Sequence, residues 1–110
     1  DHKLVYESSL VATRPKYNAL FIKSIYAYEV ISETFWNVSY IEPNFVPDTF
    51  VDINKHIKNK LRSLKIFKSQ INIKLIERSI EAIKALSVLR GSQNGYNNAE
   101  AFKLIRSRFD

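Results

Sequence analysis

The stretch TFVDINKHIKNKLRSLKIFK, residues 49–68, joins a short β-strand directly to an amphipathic helix. Residues 49–53 combine β-branched and aromatic side chains, which favour an extended strand. Asn54 carries the side chain of a helix N-cap, and apolar residues follow it at helical spacing: Ile57, Leu61, Leu64 and Phe67 or Lys68. The stretch therefore predicts a strand at 49–53 and a helix at 55–68 with one apolar face on a sheet.

The same alternation continues before this stretch. Apolar side chains at helical spacing over residues 2–13 predict a helix that ends before Pro15. Residues 26–31 are rich in β-formers and predict a strand, and residues 32–47 contain two prolines and predict a loop.

After the stretch, another helix is predicted over residues 76–90, with Gly91 as its C′ glycine. Its apolar stripe consists of Ile76, Ile80, Ile83, Leu86 and Leu89. Residues 101–106 predict a last strand. Helices that alternate with short strands predict α/β architecture, and so few strands indicate that their partner strands lie outside this sequence.

Length and composition limit the kinds of site that the chain can form. Its 110 residues make one domain at most, or part of one. The absence of cysteine excludes disulfides, thiolate metal sites and cysteine nucleophiles. The amphipathic pattern begins immediately after Asp1, without an initiator methionine, and we interpret Asp1 as lying inside a larger protein.

Positive charge is concentrated in the second half of the chain. The formal net charge is +6, and residues 55–74 contain seven basic side chains and no acidic one. A stripe of this kind is typical of a solvated helix face in a lysine-rich protein. The alternative is contact with phosphate groups, which would make the chain a small basic helical module that binds nucleic acid through residues 55–74.

Several stretches of the chain, taken together and in order, resemble the PIG-L/LmbE-like family of zinc-dependent N-deacetylases. The first half of the chain contributes Asp1-His2-Lys3-Leu4-Val5-Tyr6-Glu7, Ala12-Thr13-Arg14-Pro15, Glu29-Val30, Ser32, Thr34 and Trp36. Residues 45–53 and the second half contribute Phe45-Val46-Pro47-Asp48-Thr49-Phe50-Val51-Asp52-Ile53, Lys68-Ser69-Gln70, Arg78-Ser79-Ile80-Glu81-Ala82, Arg90-Gly91 and Asn98-Ala99-Glu100-Ala101-Phe102. The resemblance covers nearly the whole chain and identifies it as the later half of such an enzyme.

The resemblance implies a fold, a metal and a reaction. The family has a Rossmann-like three-layer α/β fold, so residues 1–110 would be the C-terminal half of a single deacetylase domain. The expected reaction removes an acetyl group from an N-acetylated amino sugar or its conjugate. Zinc with an open position acidifies a bound water and polarises the acetamide carbonyl, and a carboxylate removes the proton of the water.

The resemblance assigns few site residues to this chain. The family's zinc is held by a His and an Asp of an Ala-His-Pro-Asp-Asp stretch and by the His of a later Asp-His pair. Only the later pair is present, as Asp1 and His2, so His2 is the one expected metal ligand. The general base belongs to the absent stretch, so no catalytic residue is expected in this chain, and we expect residues 1–110 alone to be inactive.

Glu29 and Trp36 are candidates for substrate binding, because a sugar ring favours an aromatic face and a carboxylate acceptor. Packing of Trp36 in the core or at a subunit contact is the competing interpretation. Arg78 and Glu100 lie in family-like motifs, and each could be a site residue or a member of a structural ion pair. His56 is expected on the surface.

The expected partners are the N-terminal half of the same protein and an N-acetylated sugar, with a homo-oligomer as a further option. The deacetylase hypothesis places the protein in the cytoplasm, without a membrane partner, and does not call for nucleic acid. Besides nucleic-acid binding, a purely structural or interaction domain is the remaining hypothesis. Metal content of the intact protein and salt-dependent retention of nucleic acid distinguish these classes.

Overall fold

A computed structural model describes residues 1–31, 44–67 and 79–110. Its elements, in chain order, are α1 (His2–Ala12), a 3₁₀ turn (Tyr17–Ala19), β1 (Ser24–Tyr28), β2 (Thr49–Asp52), α2 (Ile57–Ile66), α3 (Ile80–Ser92) and β3 (Ala99–Ser107). The three strands form a small antiparallel sheet in the order β1-β3-β2. The α/β prediction is therefore confirmed at the level of a mixed fold. No helix in the described ranges is long and apolar enough to span a bilayer.

The chain divides into two compact units. The first contains residues 1–26 and 104–110, and the second contains residues 27–103. In the first unit, the backbone N–H of Arg108 donates to the carbonyl of Lys23 at 2.8 Å, and the hydroxyls of Ser24 and Ser107 lie 2.9 Å apart. Arg106 also donates to the carbonyl of Thr13. These contacts hold the last residues of the chain against its first segment.

In the second unit, β2 pairs with the first half of β3. The register places Thr49 opposite Phe102 and Asp52 opposite Ala99. Helices α2 and α3 contact each other, and α3 contacts β2. The buried apolar residues in the described ranges are Ile53, Ala99 and Ala101. Because two of these are alanines, the centre of the unit is built from small side chains.

The predicted N-cap of α2 is wrong. The helix begins at Ile57, with His56 in the N-cap position, because residues 54–56 form a turn in which the N–H of His56 donates to the carbonyl of Ile53. The side chain of Asn54 is engaged elsewhere, since its oxygen accepts a hydrogen bond from Asn98 at 3.1 Å. In the predicted apolar stripe of α2, Ile57, Leu61 and Leu64 are half-buried, as expected, but Phe67 is 61% exposed.

The predicted end of α3 is also wrong. The helix continues through Gly91 to Ser92, so Gly91 is a helical residue and not a C′ glycine. A Cβ on Gly91 would lie 2.4 Å from the carbonyl oxygen of Tyr96, and only glycine allows the following loop to approach so closely. The glycine in the left-handed region is Gly95, with φ of 74°. Gly91 is therefore required for packing, and Gly95 serves the turn.

The predicted apolar stripe of α3 agrees with the structure in part. Ile80, Ile83 and Leu86 are half-buried, but Leu89 is 55% exposed, and the buried residues of the helix are Ser87 and Gly91. The small residues let the helix approach the loop before β3, which a continuous row of large side chains would prevent. Ser79 caps the N-terminus of the helix, where its side chain accepts the N–H of Ala82 at 3.1 Å. Ile76 lies outside the described residues.

The strand predictions differ from the structure mainly at their ends. The first strand lies at Ser24–Tyr28 rather than at 26–31, and the last runs from Ala99 to Ser107 rather than from 101 to 106. The helix predicted at 2–13 is confirmed as α1. The loop predicted at 32–47 lies outside the described residues up to 43, and residues 44–48 have no regular structure.

Candidate functional site

His2 is the residue that the sequence assigns to zinc. It is the first residue of α1 and is exposed to solvent. Across residues 1–31, 44–67 and 79–110, no group of three His, Cys, Asp or Glu side chains is placed to hold a metal ion. A single imidazole does not hold zinc in a defined geometry, which requires at least three protein ligands. The described residues can therefore supply one zinc ligand, His2, and the other ligands would have to come from elsewhere.

Glu29 forms a buried ion pair with Arg90. The guanidinium donates from Nη2 to Oε1 at 2.5 Å and from Nε to Oε2 at 3.0 Å. The side chain of Glu29 is 4% exposed and that of Arg90 is 11% exposed. Two parallel hydrogen bonds make this the strong, bidentate form of the interaction. The pair connects the segment that follows β1 to the last turn of α3.

A second ion pair joins α2 to β3. Lys60 Nζ lies 2.5 Å from Glu100 Oε1, with side chains 38% and 36% exposed. Water reaches both groups, so the attraction is screened far more than that of the buried pair. Glu100, whose role the sequence left open, therefore lies in an ion pair. Arg78, the other residue with two interpretations, lies outside the described residues.

Both ion pairs line one cavity of the second unit, with a volume of about 260 Å³. Its apolar lining includes Ile83, Leu86 and Phe102. Each cation in the lining contacts a carboxylate, so the charges of the cavity compensate each other in pairs. Among the charged groups of this lining, Lys60 and Glu100 are open enough to meet a solute, while Glu29 is enclosed by its partner.

Asn98 connects three parts of the second unit. Its Oδ1 lies 2.9 Å from the hydroxyl of the buried Ser87 on α3, and its Nδ2 donates to Asn54. Its backbone carbonyl accepts the N–H of Ile53 at 3.0 Å. These bonds fix the loop before β3 against both α3 and the end of β2. The side chain provides a partner for the buried hydroxyl of Ser87 and acts as a structural link.

The structure places the predicted site residues in separate environments. His2 lies in the first unit and Glu29 in the second, and Trp36 lies outside the described residues. The substrate-binding roles of Glu29 and Trp36 stay predictions, although both oxygens of Glu29 are engaged by Arg90. Sequence reasoning missed the partnership of Glu29 with Arg90 and that of Lys60 with Glu100. Charge sign alone gives no partner across 61 or 40 residues of chain.

Comparison with known proteins adds no relative: no protein-family model matches this chain, and neither a curated protein nor a solved structure matches it significantly.

Proposed function

We propose that this chain is the later half of a cytoplasmic, zinc-dependent N-deacetylase of the PIG-L/LmbE-like kind, with a Rossmann-like three-layer fold in the intact protein. The substrate is an N-acetylated amino sugar or its conjugate. His2 contributes one zinc ligand, and the other ligands and the general base come from residues outside this sequence. Zinc, when bound, supplies an acidified water and a polarised acetamide carbonyl.

The Asp1-His2 pair, with His2 exposed at the start of α1, is the observation that carries this proposal. Stretches of the family resemblance that are far apart in sequence meet in the second unit. Glu29 pairs with Arg90, and residues 49–52 pair with residues 99–102. Gly91 lies against the backbone of residues 96–98, next to the last of these stretches.

The residues of this chain have mainly a supporting role in the proposed reaction. Enzymes hold reacting groups in place with side chains that are fixed by packing and hydrogen bonds. The buried Glu29–Arg90 pair and the Asn98 network fix the loops and helix of the second unit. His2, exposed at the first turn of α1, is accessible to a metal ion.

The test is a ligand substitution in the full-length protein. His2→Ala is expected to remove most bound zinc and nearly all release of acetate, because two remaining ligands do not hold zinc in an open tetrahedron. His2→Gln is expected to be only slightly better, since an amide oxygen is a weaker zinc donor than imidazole. His56→Ala is the matched control, because His56 is also exposed and should change neither quantity.

Zinc per protein is measured by elemental analysis, and acetate release is measured with an N-acetylglucosaminide at saturating concentration. Full zinc content and near-normal turnover in His2→Ala would show that the Asp1-His2 pair is not a metal-binding motif here. Residues 1–110 alone are expected to release no acetate above a metal-free control. Activity of that fragment would contradict the assignment of the base and the other ligands to residues outside it.

A further inference from the structure

The outward side of α2 carries only positive charge. Lys58, Arg62 and Lys65 are all exposed, and we call them the basic face. Their spacing of four and three residues places them within about 60° of one another around the helix axis. Lys60 points to the other side of the helix, where it pairs with Glu100. The basic face is therefore directed away from β3.

Among the described residues, the charge of this face is not compensated. Residues 53–67 contain no Asp or Glu. In the described part of the chain, no carboxylate forms an ion pair with a residue of the basic face. Three cations at this spacing extend over about 10 Å of helix. Successive cations are thus about 4–6 Å apart along the axis, and their long side chains can reach separate phosphates of one strand.

The flank of the basic face distinguishes between two anionic partners. Asn59, Ser63 and Ile66 occupy this flank, and all three are exposed. A helix that lies on a bilayer inserts a row of large apolar side chains. This flank offers one such side chain, Ile66, beside two polar ones. Asn and Ser are instead residues that commonly contact phosphate oxygens of nucleic acids.

We propose that the basic face of α2 binds the sugar-phosphate backbone of a nucleic acid, with Asn59 and Ser63 as additional phosphate contacts. Binding of this kind does not read the base sequence, since it depends on phosphates alone. It goes beyond the deacetylase proposal and does not depend on it. Three phosphate contacts predict that affinity for a single strand falls about 20-fold when salt rises from about 50 to about 200 mM.

The experiment uses the full-length protein and a fluorescein-labelled oligouridine, with binding measured by fluorescence anisotropy at both salt concentrations. The test variant combines Lys58→Glu, Arg62→Glu and Lys65→Glu. The control variant combines Arg14→Glu, Lys16→Glu and Lys84→Glu, which are exposed cations outside α2. Both variants lower the formal net charge of this chain from +6 to zero, so they differ only in where the charge changes.

The test variant is expected to lose at least about tenfold in affinity at low salt, and the control is expected to stay within about threefold of the parent protein. Circular dichroism verifies that both variants keep their helix content. Equal losses in the two variants would overturn the proposal in favour of a general charge effect. It would also be overturned if the parent protein bound vesicles of anionic lipid but not the oligouridine, or bound neither probe.

Discussion

The two ion pairs of the second unit predict a large difference in stability between two similar substitutions. Arg90→Ala leaves the carboxylate of Glu29, 4% exposed, without its partner in an enclosed site. Loss of one member of a buried pair costs about 3–5 kcal/mol, because the remaining charge is desolvated and unpaired. Lys60→Ala leaves Glu100 with more than a third of its side chain in water, and an exposed pair contributes about 0.2–1 kcal/mol.

The free energy of unfolding is measured by urea titration of the full-length protein and both variants, followed by far-ultraviolet circular dichroism. A loss of about 4 kcal/mol is a large part of the stability of a typical domain, so Arg90→Ala is expected to shift the midpoint strongly. The double variant Glu29→Ala/Arg90→Ala should recover part of the loss, since it removes the buried charge as well. Similar losses of unfolding free energy for Arg90→Ala and Lys60→Ala would refute the idea that burial of Glu29 causes the larger loss. No recovery in the double variant would refute it as well.

Three further substitutions test the packing of α3 and its surroundings by thermal and urea unfolding of the full-length protein. Gly91→Ala is expected to cost about 3 kcal/mol, the upper end for overpacking, because its Cβ would meet a backbone carbonyl 2.4 Å away. Gly95→Ala is expected to cost about 1 kcal/mol, because its φ of 74° disfavours a Cβ although the surrounding space is open. A larger loss for Gly95→Ala than for Gly91→Ala would contradict the packing role of Gly91 and the turn role of Gly95. Ser79→Ala is expected to cost about 1 kcal/mol through the lost N-cap, whereas Ser79→Asp should retain stability; equal losses in the two would argue against capping.

The sequence predicted the elements of the fold better than their contacts. Apolar spacing located α1 and α2, and β-branched and aromatic side chains located β2, because these signals depend on residues close in the chain. The ends of α2 and α3 were predicted less well, because they depend on distant partners. Asn54 is a good N-cap in isolation, but Asn98 engages its side chain, and Gly91 is held inside its helix by the approach of Tyr96.

The candidate site shows the same division between local and distant information. The Asp1-His2 pair is a local motif, and the sequence alone could single it out. The role of Glu29 depends on Arg90, whose side chain is brought to it by the fold across 61 residues. A carboxylate that looks available for a substrate in the sequence is enclosed in the structure. Periodicity and motif spacing contain no information about such a partner.

The first unit combines residues 1–26 with residues 104–110, and this affects the order in which it folds during synthesis. The hydrogen-bond partners of Thr13, Lys23 and Ser24 are residues 106–108, which are synthesised last. Arg106, for example, follows Thr13 by 93 residues. The ribosome makes about 5–20 residues per second, so these early residues stay without their partners for several seconds. The second unit is one continuous segment, and its Glu29–Arg90 pair spans 61 residues, so these partners are synthesised after a shorter interval. A stop codon before residue 106 would leave the carbonyls of Thr13 and Lys23 and the hydroxyl of Ser24 without these partners permanently.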